Sequence, residues 1–520
     1  MLREKEQQMS LYCMLYDKIP DSHLLKRIEK AVDFSFINEL LADSYCKNNG
    51  RPAKEPEMMM KLLFLQHIYG LSDVKVIEEA TYNLSYLWFL GMNPEDELPD
   101  PSLLCKFRKS RLREFSLDDI LAEIVRQCVE NGVIKSGSIS IDTTHIEANT
   151  VKKVPERIMK HLAKKIFKAL EQDLGEVPSE FDTNIPNYKK IADHKQAKQT
   201  MKDYLEGVMA KAAPLGKEET KTAIAEAKEI LSDERFILQK GLRSFVDKDA
   251  RVGRKSKTTN FFGYKDEYIM TTDERIITAV EVRSGEYVDG TEFDTLLERT
   301  KTAGIAPTEV YGDKAYFRKD ILDTIKENQA EAYIPVSASS YKVNEEMYSY
   351  NKDSDEWFCF MGNHTVKKER KTTQKRGQTY ELFSYTFDKN QCIDCPHRDK
   401  CMGSLKGKAK KLRVSVNAAE FYEINQFQKT EIFQEKYKKR AAHEWKNGEM
   451  KRFHGLARAR GYGLKAVTTQ AKLTAIAVNL KRIAAIIGGR KPDYSPIITC
   501  LRFLLRKFHF RQKLLLPSNI

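Results

Sequence analysis

The sequence predicts an α/β protein: a mixed-sheet core preceded by a helical N-terminal region and interrupted by two insertions. Three observations carry this prediction. Apolar residues recur at helical spacing through residues 20–130, strict alternation begins at Ser138, and strand-like and helical segments then take turns as far as residue 335. Residues 151–240 and 345–412 break that rhythm, each with a composition of its own.

The bulk composition sets the frame. At 520 residues the chain exceeds one ordinary hydrophobic core, so two to four domains are expected. With 41% hydrophobic and 10% aromatic residues it belongs with folded globular proteins. A formal charge of +14 points to a polyanionic partner, nucleic acid first and an acidic membrane surface second. No apolar run approaches the ~18 residues that span a bilayer, and Leu473–Leu480 is followed at once by Lys481 and Arg482. The opening Met1-Leu-Arg-Glu-Lys-Glu lacks the apolar stretch of a signal peptide. An odd count of nine cysteines suits a reducing compartment better than a disulfide framework, so a cytoplasmic location is expected.

In chain order, Glu55–Gly70 is apolar at helical spacing behind a proline, and Asp73–Asn83, Leu84–Gly91 and Pro101–Arg113 read as further short helices. Several short helices with interspersed Lys and Arg suggest a helix-turn-helix-like module. Ser138–Asp142 alternates as a half-buried strand with Ser138, Ser140 and Asp142 on one face. Strands are expected at Tyr264–Thr271, Arg275–Val282, Glu309–Gly312 and Ala332–Pro335, with a helix over Lys314–Asn328. The first insertion is helix-forming and dense in Lys152, Lys153, Arg157, Lys160, Lys164, Lys165 and Lys168, either a solvated face or a phosphate-tracking one. The basic and apolar tail, Leu501–Leu516, reads equally as a docking helix or an arm on DNA.

Four residues near the C-terminus stand out. On an ideal helix Tyr437, Arg440, Glu444 and Lys451 fall at about 0°, 300°, 340° and 320°, all within about 60° of one face. A carboxylate flanked by Arg and Lys on one stripe suits holding a metal while gripping phosphates. Glu449 lies about 140° from Glu444 and should point away. Two more acids end predicted strands, Asp142 before Thr143-Thr144-His145 and Asp313 after Glu309-Val-Tyr-Gly. Strand ends lie on the sheet rim where ligands bind in α/β folds. Three converging carboxylates are hard oxygen ligands for Mg²⁺ or Mn²⁺. Such ions would activate a water or a 3′-hydroxyl for phosphodiester chemistry.

These residues carry a resemblance. The run Tyr437-Lys-Lys-Arg440-Ala-Ala-His-Glu444-Trp-Lys-Asn-Gly-Glu-Met-Lys451 keeps every spacing of the Y-x2-R-x3-E-x6-K signature. Ile141-Asp-Thr-Thr-His-Ile-Glu-Ala148 and Tyr311-Gly-Asp-Lys-Ala-Tyr316 resemble the first and second aspartate motifs of the same group, DDE transposases of bacterial insertion sequences. His454–Arg460 through Asn479–Arg482 resembles the usual ending, and Arg51-Pro-Ala-Lys-Glu-Pro through Phe107-Arg108 the helical region before such cores. The resemblance implies an RNase H-like catalytic domain over 131–487, carrying both insertions, after a DNA-binding domain over 1–130 and before a basic tail over 488–520. It implies that Asp142, Asp313 and Glu444 are catalytic and hold Mg²⁺ or Mn²⁺, and that Tyr437, Arg440 and Lys451 contact DNA. The implied activity is metal-dependent cleavage at insertion-sequence ends and strand transfer into target DNA. The implied partner is double-stranded DNA, as terminal inverted repeats and as target, bound by a homo-oligomer assembled on DNA with no membrane involved. A transposase descendant kept for binding alone would most simply have lost one of the three acids, and all are present; a metal nuclease without strand transfer differs only by the resemblance itself.

The second insertion holds Cys392-x2-Cys395-x5-Cys401, with Cys359 upstream beside Trp357 and His397 as a substitute ligand. The set reads either as a structural Zn²⁺ site or as reduced cysteines in a small β-rich insert. Cys13, Cys46, Cys105, Cys128 and Cys500 are isolated and read as small buried hydrophobic residues.

Overall fold

The computed structural model of the protein describes residues 10–46, 53–112, 116–151, 153–233, 236, 242–256, 258–375, 378–402 and 409–489. The expected C-terminal arm at 501–516 lies outside these residues, as do Cys500 and, in the basic stretch, Lys152. Of the other isolated cysteines only Cys128 is buried; Cys13 and Cys105 are half-buried and Cys46 is exposed, since each of these three sits at the surface side of its segment.

Among the described residues a 3₁₀ helix at Leu11–Lys18 and seven α-helices open the fold: α1 Leu24–Ala31, α2 Phe36–Ala42, α3 Pro56–Tyr69, α4 Asp73–Tyr82, α5 Leu84–Leu90, α6 Ser102–Ser110 and α7 Ser116–Glu130. Their ends follow from local chemistry. Pro56 starts α3, Gly70 stops it in the left-handed conformation at φ 68°, and Ser72 caps α4 by accepting from the Lys75 N–H at 3.1 Å. Helix α3 is buried on every side, from Met58 through Ile68, so it needs partners all round.

The central sheet is built from β1 Ser138–Glu147, β2 Arg251–Arg254, β3 Asn260–Thr271, β4 Ile277–Ser284, β5 Glu309–Tyr311 and β6 Glu331–Tyr333. Strand β1 lies in the middle, antiparallel to β3 on one edge and parallel to β5 on the other; β6 extends the parallel side, and both β4 and β2 pair with β3. In place of the expected half-buried strand, β1 is buried at every residue from Ser138 to Asp142, so both of its faces are covered. A Cβ at Gly263 would come 2.1 Å from the Ile146 carbonyl oxygen, so this glycine permits the tight β1–β3 approach. Helix α11 Phe293–Thr302 packs on β3 and β4, and α12 Lys319–Glu327 on β6. The helix expected over 314–328 is divided, a 3₁₀ turn at Lys314–Tyr316 preceding α12.

Both insertions carry their own cores. The first forms α8 Pro155–Leu174, α9 His194–Ala212 and α10 Glu218–Leu231 around Met159, Leu162, Ile166, Met201 and Leu205. A backbone pair between Lys153 and Arg243 closes its base, at 2.9 and 3.1 Å. The second holds the hairpin β7 Tyr348–Asn351 and β8 Glu356–Cys359, then the sheet of β9 Thr365–Lys375, β10 Gln378–Phe387 and β11 Lys411–Ser415, with short helices α13 Lys389–Ile393 and α14 Arg398–Met402. Trp357 is fully buried at its centre with Tyr385, Phe387 and Val414.

The chain then returns through α15 Ala418–Gln428, α16 Glu431–Tyr437, a 3₁₀ turn at Lys438–Ala441, α17 Ala442–Phe453 and the long α18 Leu464–Ile487. Helix α18 packs on α1, α3, α7 and β4, so the N-terminal helices and the sheet share one hydrophobic core. Asn479 fixes the contact by bonding both the N–H and the C=O of Ile277, at 2.8 and 2.7 Å. Among the described residues no helix is long and apolar enough to cross a membrane.

Candidate functional site

The site is organised around Asp142 in the middle of β1. Its side chain is nearly buried, at 8% exposure. One carboxylate oxygen lies 3.5 Å from an Arg440 guanidinium nitrogen, and the other accepts from Asn447 Nδ2 at 3.2 Å. Burial pushes the Asp142 carboxyl up to about 6; Arg440 opposes the rise, and the negative charges of Asp313 and Glu444 add to it. Asp313 and Glu444 therefore stand close enough to act on Asp142 through space.

Asp313 follows β5 and caps the 3₁₀ turn by accepting from the Ala315 N–H at 2.8 Å. That turn is tied to the sheet from below. The Tyr316 hydroxyl meets Thr143 Oγ1 at 2.8 Å and donates to Glu267 on β3 at 2.8 Å; Glu267 also accepts from Tyr287 and from the Gly290 N–H, each at 2.6 Å. Asp142 and Asp313 line one cleft of about 170 Å³ with His145, Arg254, Lys255 and Lys265.

The signature residues do not share one ideal helix. Tyr437 ends α16, Arg440 sits in the 3₁₀ turn, and Glu444 and Lys451 belong to α17. The tighter turn alters the angular phase, so the stripe expected from a continuous helix is replaced by two groups. Tyr437 stacks on Phe433, with ring centroids 5.7 Å apart, and stands beside Arg440. Glu444 is exposed on the first turn of α17. Glu449 is engaged elsewhere: it takes a 2.9 Å ion pair from the buried Lys446.

Lys451 is half-buried, its ammonium 3.3 Å from His145 Nδ1. Burial lowers Lys451 to about 8, helped by Lys255 and opposed by Asp266. His145 is pushed down to about 4 by burial and by Lys451, so it is neutral and accepts the ammonium proton.

Several participants had no signal in the sequence. Tyr268 lies directly opposite Asp142 in the antiparallel register, and its hydroxyl donates to Asn447 Oδ1 at 2.9 Å. Asn447 thus links a buried phenol to the Asp142 carboxylate. Tyr268 also packs on His443, ring centroids 5.0 Å apart, a fully buried imidazole held neutral by desolvation.

Among the described residues no three His, Cys, Asp or Glu side chains form a ready metal-ligand group. At the acidic centre, Arg440 and Asn447 occupy the Asp142 oxygens. The donor chemistry suits a hard divalent cation, because repulsion among three carboxylates is what such an ion relieves. In the second insertion Cys359, Cys392, Cys395 and Cys401 line one small cavity with His397 and Tyr348, all as free thiols.

Two family models match the chain. A Transposase domain (DUF772) covers residues 14–110, and a Transposase DDE domain covers residues 358–484. The second range contains Tyr437, Arg440, Glu444 and Lys451. The solved structure titled "Cryo-EM structure of piggyBac transposase synaptic complex with hairpin DNA (SNHP)" aligns over 99% of this chain and 85% of that one, at 10% identity and a TM-score of 0.31.

Proposed function

Because this chain is a DDE transposase of the insertion-sequence type, a DNA-cleaving and strand-transferring enzyme with a divalent-metal requirement, we propose that Asp142, Asp313 and Glu444 are its catalytic acids. The observation that carries this assignment is the raised Asp142 carboxyl, buried in the central strand with the other two acids acting on it. The ion they would hold is Mg²⁺ or Mn²⁺. A divalent ion at such a site supplies Lewis acidity toward a phosphate oxygen and lowers the pKa of an attacking water or 3′-hydroxyl.

The protein's own groups orient and balance. Arg440 offsets the Asp142 charge with a guanidinium whose planar fork suits phosphate oxygens. Lys451, lowered to about 8 by burial yet still charged at neutral pH, is a mobile donor beside His145, and Tyr437 lies beside Arg440 for the same phosphates. The core is RNase H-like on this reading. Its support is the strand order, three antiparallel strands β4, β3 and β1 followed by β5 and β6 parallel to β1. The DNA is double-stranded, the element's terminal repeats and then the target, engaged by a homo-oligomer in the cytoplasm. The helical region 1–130 reads the repeats.

For the cysteine insert we take reduced thiols as the working reading, with the four lining one small cavity beside His397. Zinc in purified protein, found by elemental analysis, would reverse that.

The decisive experiment incubates the protein with the DNA flanking its own gene, with and without Mg²⁺, and maps the cuts. Asp142→Asn should abolish metal-dependent cutting while leaving binding intact. Persistent cutting by that variant would remove Asp142 from the chemistry.

A further inference from the structure

A second, larger cleft lies away from the acidic centre, between the start of α4, helix α6 and the first turns of α18, with a volume of about 700 Å³. Arg108, Lys109, Arg460 and Lys465 line it, together with Tyr462, which is 52% exposed. Among the described residues the only acid on its wall is Asp73, and that carboxylate is already taken by Arg108 in a two-pronged pair, at 3.0 and 2.5 Å. His67, also on the wall, is held neutral by burial, which lowers it to about 3. Lys109, Arg460 and Lys465 are exposed and make no ion pair among the described residues. The cleft therefore presents uncompensated positive charge around an exposed phenol.

Its position is tied to the catalytic helix. His454, at the C-terminal end of α17, meets the His67 carbonyl through Nδ1 at 2.7 Å. Anything gripped in the cleft is thus held in a set relation to Glu444 and Lys451.

From this geometry we infer that the cleft is a second grip on duplex DNA, acting through the phosphate backbone and separate from the acidic centre. Only the choice of DNA as the polyanion rests on the transposase reading. Phosphate oxygens are the ligands that free Lys and Arg groups recognise without sequence preference. An apolar peptide would leave these cations without anions.

The test uses the full chain and a short fluorescein-labelled DNA duplex of mixed sequence, with binding followed by anisotropy over a range of salt. The double variant Lys109→Gln/Lys465→Gln should lower the slope of log affinity against log salt by about 1.8, at ~0.9 for each phosphate no longer neutralised. Lys109→Arg/Lys465→Arg keeps the charge and should keep the slope, and thermal melts of all variants should match wild type. An unchanged slope in the glutamine pair overturns the proposal. So does an equal drop from Lys221→Gln/Lys228→Gln on α10, which would mean diffuse attraction, or tighter binding of the single strand with its slope unaffected. If wild type shows no metal-dependent cutting while the slope change holds, the catalytic reading fails and the cleft stands. Cutting with an unchanged slope has the reverse meaning.

Discussion

Asp142 trades stability for function. Its native carboxyl titrates near 6, above the 3.8 of the free side chain, so the folded protein holds that proton more tightly than the unfolded chain does. The stability this gives is complete below the free value and is lost as pH rises through about 6. At neutral pH the ionised group costs roughly 3 kcal/mol, at ~1.4 kcal/mol per pH unit. Asp142→Asn should therefore melt higher than wild type at pH 7 while losing all cleavage, and Mg²⁺ should stabilise wild type alone. A lower melting temperature would mean that the Arg440 and Asn447 contacts outweigh the burial cost. Asn447 makes a different test. It positions the Asp142 carboxylate and is itself held by Tyr268, so Asn447→Ala should reduce cleavage ~10–100-fold at limiting metal and recover as Mn²⁺ is raised. A loss independent of metal concentration would reduce it to a structural residue. In the sequence Asn447 is only the neighbour of a helical glycine; its role arises because strand register sets Asp142 opposite Tyr268 and α17 packs across that pair, bringing Asn447 onto both.

At the scale of the element, the apolar helices were legible and the signature stripe was only partly so. Helix α3 and its capping residues follow from spacing, proline and glycine alone, within a residue of expectation. The 3₁₀ turn at Lys438–Ala441 has no such mark, because Lys, Arg and Ala all favour an ordinary helix. Long-range contacts flank it instead: Tyr437 stacks back on Phe433, and Arg440 reaches across to Asp142. The same holds at Asp313, where the Tyr316 bonds to Thr143 and Glu267 anchor a tight turn ahead of α12. Burial of β1 on both faces was hidden for a related reason: alternating Ser and Ile reads as half-exposed when the covering layers come from distant sequence. The local rule does survive at Gly448, in α17, where a Cβ would meet nothing within 4 Å. Gly448→Ala should raise stability by ~0.5–1 kcal/mol, measured by denaturant unfolding. Destabilisation would show that the glycine's freedom is needed in this helix.

For the whole molecule, length predicts two to four domains, and the cores divide the chain differently from the order of its segments. Residues 1–130 look self-contained in sequence, yet the all-round burial of α3 is completed by α18, more than 300 residues later. The first insertion, which reads as a charged interruption, encloses its own core and is closed by the Lys153–Arg243 backbone pair. Folding alone requires a buried core, and the first insertion, unlike residues 1–130, carries its buried core within its own residues. A fragment spanning 153–243 should accordingly be helical and melt in one cooperative transition by circular dichroism. A fragment spanning 1–130 should lack a cooperative melt, because α18 is missing from the faces of α1, α3 and α7. A cooperative melt for 1–130 would show that its helices can close a core without α18, and the N-terminal region would then be free to move against the catalytic centre. The shared core argues the opposite: on the proposed function, DNA held by the N-terminal helices would be held by the same packed body as Asp142, Asp313 and Glu444, so recognition and cutting would move together.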